Sequence, residues 1–197
     1  MDTLNPVILR VPKEKAVLSG REKVKFLSSY ARIALSLSAG YSQVSLGEIV
    51  KDNDGVPIPS GEHFWSITHK PLFVGGVVSP GPIGIDLEHI RPCSPNLFRK
   101  VASNEEWTMC DADPNILFFR FWTAKEAVIK ASGSKIKNML KCRVAKICDE
   151  NNLFIEYEGK TLHVEHQFFF GHIASIVKNK YQINWNILPE LSLDNKS

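Results

Sequence analysis

The chain has little of what would mark a nucleic-acid, membrane, disulfide or zinc protein. Its 197 residues carry 24 Lys and Arg against 21 Asp and Glu, a formal charge of +3. That excess is too small to seek a phosphate backbone, and no basic arm or aromatic-basic array adds to it. No apolar run is long enough to span a bilayer, and the opening Met1-Asp2-Thr3-Leu4-Asn5-Pro6 has no charged-then-apolar leader pattern. Cys93, Cys110, Cys142 and Cys148 are scattered, with no C-x-x-C and no zinc-like spacing, so they read as reduced packing residues. The expectation is a soluble, cytoplasmic protein with one good core or two small fused units. Familiar catalytic signatures are missing too. There is no G-x-G-x-x-G, no H-E-x-x-H and no G-x-S-x-G, and Gly133-Ser134-Lys135 lacks the first glycine of a P-loop.

What is present reads as alternating helix and antiparallel strand, hence α+β. Val7–Val11 is a strand stopped by Pro12, and Ser19-Gly20-Arg21-Glu22 has capping-box form for a helix running to about Ala39 and closed by Gly40. Asp52–Pro57 is a turn, and Phe64–His69 with Phe73–Val78 form a hairpin. Ser79-Pro80-Gly81-Pro82 is the candidate junction between an N-terminal half, 1–79, and a C-terminal half, 83–197. Beyond it come a strand at Ile83–Glu88, short helices opened by Ser94-Pro95 and by the Ser103–Glu106 capping box, and a long helix from Asp113-Pro114 to Gly133. Strands follow at Arg143–Cys148, Leu153–Tyr157, Thr161–Glu165, His172–Val177 and Gln182–Ile187, with a loose tail from Pro189.

Chemistry concentrates in two stretches. In Phe121-Trp122-Thr123-Ala124-Lys125-Glu126-Ala127-Val128-Ile129-Lys130, helical spacing aligns Trp122, Glu126 and Lys130 on one face. The bland reading is an i, i+4 surface pair adding ~0.3–0.5 kcal/mol. Against it, the preceding Ile116–Phe121 run is apolar nearly all round, so this helix is buried and its charges need partners. In Gly84-Ile85-Asp86-Leu87-Glu88, strand alternation points Asp86 and Glu88 to the same side. Two carboxylates side by side repel, and hard oxygens favour Mg²⁺, which prefers few protein ligands plus phosphates. His69 ends a strand just before Lys70-Pro71, where a loop would expose it. Lys135, Lys137, Lys141, Arg143 and Lys146 form a basic zone that would attract an acidic partner.

Together these stretches resemble a known family. Trp122-Thr-Ala-Lys125-Glu126-Ala-Val-Ile-Lys130 is similar to the W-x-x-K-E-x-x-x-K signature of 4′-phosphopantetheinyl transferases, Gly84–Glu88 to their G-[IV]-D-x-E, and Ser66-Ile67-Thr68-His69 to their S-x-S-H. The resemblance implies the single-chain, surfactin-synthetase-activating type: two similar α/β halves forming a pseudo-dimer, a monomer with an internal pseudo-twofold, and coenzyme A in the cleft between halves. It implies transfer of phosphopantetheine from coenzyme A to a serine of an acidic acyl or peptidyl carrier protein, releasing adenosine 3′,5′-bisphosphate. Asp86, Glu88 and Glu126 would hold Mg²⁺, Glu126 would also serve as general base, and Lys130 would face the pyrophosphate. Thr68 and His69 would contact coenzyme A phosphates, and Lys125 would either touch substrate or neutralise a neighbouring carboxylate. Trp122 would pack. Two departures stand out. Thr68 replaces a serine but keeps the hydroxyl, while Gly55-Val56-Pro57 stands where the family often has Gly-Lys-Pro. The lost lysine implies a weaker hold on the 3′-phosphate unless Arg21, Lys23, Lys25 or Arg32 supplies charge. A non-catalytic carrier-binding homologue and a Mg²⁺-dependent phosphodiester hydrolase are the alternatives.

Overall fold

The computed structural model describes residues 3–15, 17–134 and 136–191, the side chains of 136–138 excepted. The N-terminal part builds β1 (Thr3–Leu4), β2 (Val7–Arg10), α1 (Gly20–Tyr41), β3 (Phe64–His69) and β4 (Phe73–Ser79). The β3–β4 hairpin pairs in the register Phe64↔Ser79 to His69↔Val74, and β2 lies on the other side of β4. Leu27, Tyr30, Ala31, Ala34, Leu35 and Ser38 recur at helical spacing and form the buried face of α1. That face crosses β4 at Gly76, where a Cβ would sit 2.4 Å from the Leu35 nitrogen. Only a glycine lets helix and strand approach so closely. The capping box expected at Ser19 does not form, because Gly20 opens the helix with a left-handed φ of +52° and the serine makes no side-chain cap. At the other end the positive φ falls on Gln43, not Gly40, so the helix runs two residues further than Ala39.

The second part builds β5 (Ile85–His89), α2 (Pro95–Val101), α3 (Asn104–Trp107), α4 (Pro114–Ala131), β6 (Arg143–Ile147), β7 (Asn152–Tyr157), β8 (Lys160–Phe169) and β9 (His172–Val177). Its five-stranded antiparallel sheet has the order β5-β9-β8-β7-β6. Asp113 Oδ1 accepts the Asn115 and Ile116 amides, Pro114 fits the first turn, and Gly133 takes φ +66° beyond the end of α4. Helix α4 is buried on nearly every side, as the nearly all-round apolar run Ile116–Phe121 predicts. It packs on β5 and β9, and Gly84 makes this possible: a Cβ there would lie 1.9 Å from the Ala127 carbonyl oxygen. The capping box at Ser103–Glu106 is present with both bonds. Strand β8 outruns the expected Thr161–Glu165 because its pairing with β9 continues to Phe169↔His172.

The chain end returns to the first part. The expected strand Gln182–Ile187 divides into β10 (Gln182–Ile183), parallel to β1, and β11 (Asn186–Leu188), parallel to β2. The break at Asn184-Trp185 matches Asn5-Pro6 on the partner side, where proline has no N–H to donate. Strand β11 thereby completes a four-stranded sheet, β11-β2-β4-β3. Two apolar clusters join the sheets, one around Ile8, Phe73, Leu87 and Phe169, the other around Leu4, Val77, Ile85 and Ile176. The class is α+β, with antiparallel strands packed on one long helix in each part. No helix among the described residues is long and apolar enough to cross a membrane, and their cysteines form no disulfide.

Candidate active site

Where β3 meets β5, the polar side chains of one strand satisfy the other. Ser66 and Thr68 alternate on β3 and share a face. The Ser66 Oγ accepts the Ile85 amide at 3.2 Å, and the Thr68 hydroxyl donates to Asp86 Oδ1 at 3.0 Å. Helix α4 closes the third side. Lys130 Nζ donates to the same Asp86 oxygen at 2.7 Å and to the Ile85 carbonyl at 3.0 Å. Asp86 is only 5% exposed, and its other oxygen, Oδ2, is buried with no hydrogen-bond partner among the described residues.

Thr68, Asp86 and Lys130 line a cavity of about 330 Å³ together with Ser28, Lys51, Ile67, His69, Lys70, Trp122 and Glu126. A second cavity of about 280 Å³ adjoins it, sharing Glu126 and Lys130 and adding Val56, Pro57, Ile129 and Gly133. Burial and the Asp86 carboxylate push the Glu126 carboxyl up to about 7. His69 moves the other way. Burial, then the charges of Lys130, Lys70 and Lys51, lower it from its usual value, so the ring is neutral at neutral pH. Lys51 is likewise lowered by burial and by neighbouring Lys130 and Arg32. Three ammonium groups therefore converge where two of the carboxylates also stand, which is an arrangement for handling phosphate oxygens.

The structure brings Thr68, His69, Asp86, Trp122, Glu126 and Lys130 to one cavity, while Glu88, Lys125, Arg21 and Lys25 are not among the residues that line it. Glu88 shares the burial of Asp86, but Lys70 Nζ lies 2.6 Å from its Oε1 and Arg91 Nη1 3.5 Å from its Oε2. Among the described residues no group of three or more His, Cys, Asp and Glu is close enough to hold a metal. What fits a hard divalent cation is the unpartnered Asp86 Oδ2 with Glu126 beside it, both hard oxygen donors. Lys125 is completely buried and pairs with Glu106 Oε1 at 2.6 Å, also donating to the Val101 carbonyl at 2.8 Å. It does not line the cavity. Arg21 and Lys25 are exposed on the first turns of α1 and do not line the cavity. Arg32 is tied to the Ile49 carbonyl at 2.7 Å.

Ser28, Lys51 and Lys70 are cavity residues that the sequence pattern did not single out. Lys51 flanks the expected turn, whose Asp52 Oδ1 accepts the Asp54 and Val56 amides, and it pairs across that turn with Pro57. Trp122 both stacks on Phe118 and lines the cavity. In the basic zone, Lys141, Arg143 and Lys146 are exposed, while Lys135 and the Lys137 side chain lie outside the described residues.

Comparison with known proteins shows which family the sequence matches. The family model of the 4′-phosphopantetheinyl transferase superfamily matches residues 82–185, more than half of the chain and all of β5 to β9. The chain is 31% identical over 128 residues to the 4′-phosphopantetheinyl transferase HetI of Nostoc, an alignment covering 57% of this chain and 54% of that protein. It is 30% identical over 92 residues to the 4′-phosphopantetheinyl transferase psf-1 of Bacillus pumilus, covering 45% of this chain and 39% of the relative. With the ffp enzyme of Bacillus subtilis the identity is 25% over 105 residues, 51% of this chain and 46% of the other. The chain thus spans about half the length of the curated relatives it matches. The matched region contains Gly84, Asp86, Glu126 and Lys130, and the chain belongs to the 4′-phosphopantetheinyl transferase superfamily.

Proposed function

We propose that this protein transfers the 4′-phosphopantetheine group of coenzyme A to a serine hydroxyl of an acidic acyl or peptidyl carrier protein, releasing adenosine 3′,5′-bisphosphate. The observation that carries this reading is the buried Asp86, with one oxygen on Lys130 and the other unpartnered, beside a Glu126 carboxyl held at about 7. On this reading residues 1–79 supply the coenzyme A side and residues 83–197 the acidic and helical side, in a monomer with an internal pseudo-twofold.

Each cavity residue then has a task. Asp86 and Glu126 would hold Mg²⁺, with Glu88 behind them keeping Lys70 in place. The ion, when bound, would screen the pyrophosphate and make its phosphorus more electrophilic. Glu126, on the cavity wall beside Asp86, also accepts the proton of the attacking serine. Lys130 donates to the oxygens on which charge grows as the leaving group departs. The neutral His69 and the Thr68 hydroxyl orient the phosphates by hydrogen bonds. Lys51, across the turn from Val56, supplies a cation near the place where Gly-Val-Pro lacks the family's lysine. Cytoplasmic residence suits a reaction that consumes coenzyme A.

The test is incubation with coenzyme A, Mg²⁺ and an apo carrier, followed by the mass of the carrier. Gain of one phosphopantetheine supports the proposal. Cleaved coenzyme A with an unchanged carrier would favour a hydrolase, and neither product a carrier-binding homologue.

A further inference from the structure

The turn joining β8 to β9 is built from Phe170 and Gly171, which hold positive φ angles of 43° and 70° between the paired residues Phe169 and His172. Two-residue turns with both angles positive strongly favour Asn-Gly, because a bulky side chain is strained in the left-handed region. Here an aromatic occupies the strained place, and it is 76% exposed to solvent. Neither local backbone preference nor burial explains a phenylalanine at this position. Its ring lies parallel over Phe73, with centroids 6.2 Å apart. Leu72, next to Phe73 in the β3–β4 turn, is 52% exposed.

This corner is continuous with the cavity. The Lys70 amide donates to the Phe73 carbonyl at 2.8 Å, closing the turn that presents Leu72, while the Lys70 side chain lines the cavity. The Ile90 amide donates to the Gly171 carbonyl at 2.9 Å, tying the β8–β9 turn to the end of the strand that carries Asp86. The surrounding charge is positive. Arg10 is exposed opposite Phe73 in the β2–β4 register, and Lys70 and Arg91 share the single buried carboxylate of Glu88. The basic zone on β6 carries more exposed charge. Yet β6 stands four strand positions from β5, roughly 19 Å across the sheet.

Resting on the function proposed above, we propose that Leu72 and Phe170, flanked by Arg10, Lys70 and Arg91, form the docking surface for the acidic protein that presents the acceptor serine. Such a partner needs an apolar contact beside the cavity mouth and cations to meet its own carboxylates. A solvent-exposed aromatic in a rigid turn provides the contact with little entropy to lose on binding.

Docking and transfer are measured separately, the first by fluorescence anisotropy of a labelled apo carrier and the second by carrier mass. Phe170→Asn suits the left-handed turn and should leave or raise the melting temperature. Together with Leu72→Ser it should weaken carrier binding and raise the carrier KM by roughly 10-fold or more, with the coenzyme A KM unchanged. Unchanged carrier binding in the double variant would overturn this surface, as would an effect confined to Lys141, Arg143 and Lys146. A dimer that sedimentation shows to dissociate on Phe170→Asn would also overturn it, since a second copy would then be the occupant. Normal docking without transfer in the wild-type protein would instead refute the catalytic reading and leave the surface standing.

Discussion

Lys130 reaches from α4 across to Asp86, Nζ to Oδ1 2.7 Å, rather than back to Glu126 on its own helix. The i, i+4 surface pair that spacing alone allows is therefore not what this lysine makes. It holds a buried carboxylate from a different element, at the wall shared by two cavities. Lys130→Ala should lower turnover by roughly 10²-fold or more, because the charge it offers is aimed at the cavity and strengthens as a leaving group departs. Single-turnover kinetics at saturating coenzyme A measure this, and near-normal turnover would reduce Lys130 to a structural partner of Asp86.

Lys125 and Glu106 form the opposite kind of pair. Glu106 is also the capping-box acid, its Oε2 accepting the Ser103 amide at 2.8 Å while Oε1 accepts both Lys125 and the Val144 amide. Removing one member strands a buried charge, so Glu106→Ala or Lys125→Ala should destabilise the fold by about 3–5 kcal/mol. The fraction that remains folded should bind coenzyme A as wild type does. A raised coenzyme A KM in Lys125→Ala, with the melting temperature unchanged, would place this lysine on the substrate after all.

Glu126 links charge to stability. Its folded value is raised from 4.5 to about 7, so between these pH values the folded protein binds more protons than the unfolded chain. Its contribution is therefore lost as pH rises through that window. In EDTA, Glu126→Gln should stabilise the protein by about 2–3 kcal/mol at pH 8 and by almost nothing at pH 4.5. Denaturant midpoints at the two pH values give the comparison. A variant equally stable to wild type at pH 8 would mean that the carboxyl is not held neutral by its surroundings.

The two halves of this picture differed in how readable they were. Helix α4 was legible because Ile116–Phe121 is apolar nearly all round and Asp113-Pro114 and Gly133 punctuate its ends. Asp86 and Glu88 were legible as a pair because a strand has period two. Their separate fates were not, since Glu88 is claimed by Lys70 and Arg91 from other turns. Lys125 and Lys130 are alike in the motif, yet Lys125 stands one position off the Trp122–Glu126–Lys130 stripe, and its partner comes from 19 residues upstream. The division of the last strand was hidden for the same reason: β10 and β11 pair with β1 and β2, at the far end of the chain.

The turn that carries Val56 offers a further test. Lys51 enters the cavity from the same turn, close enough to Lys130 and Arg32 for their charges to lower its proton affinity. If it replaces the missing lysine, Lys51→Ala should weaken coenzyme A binding by roughly 10–150-fold and affect dephospho-coenzyme A less. Adding Val56→Lys to that variant should restore the difference. Equal losses for both donors would instead direct Lys51 to the pyrophosphate.

The most direct measurement compares wild type with Asp86→Ala, recording the mass of an apo carrier after incubation with coenzyme A and saturating Mg²⁺. Wild type should convert the carrier to its phosphopantetheinylated form. Asp86→Ala should leave it nearly unmodified while keeping its far-UV circular dichroism and a cooperative melt. Equal conversion by both proteins would contradict the assignment of this cavity as the active site.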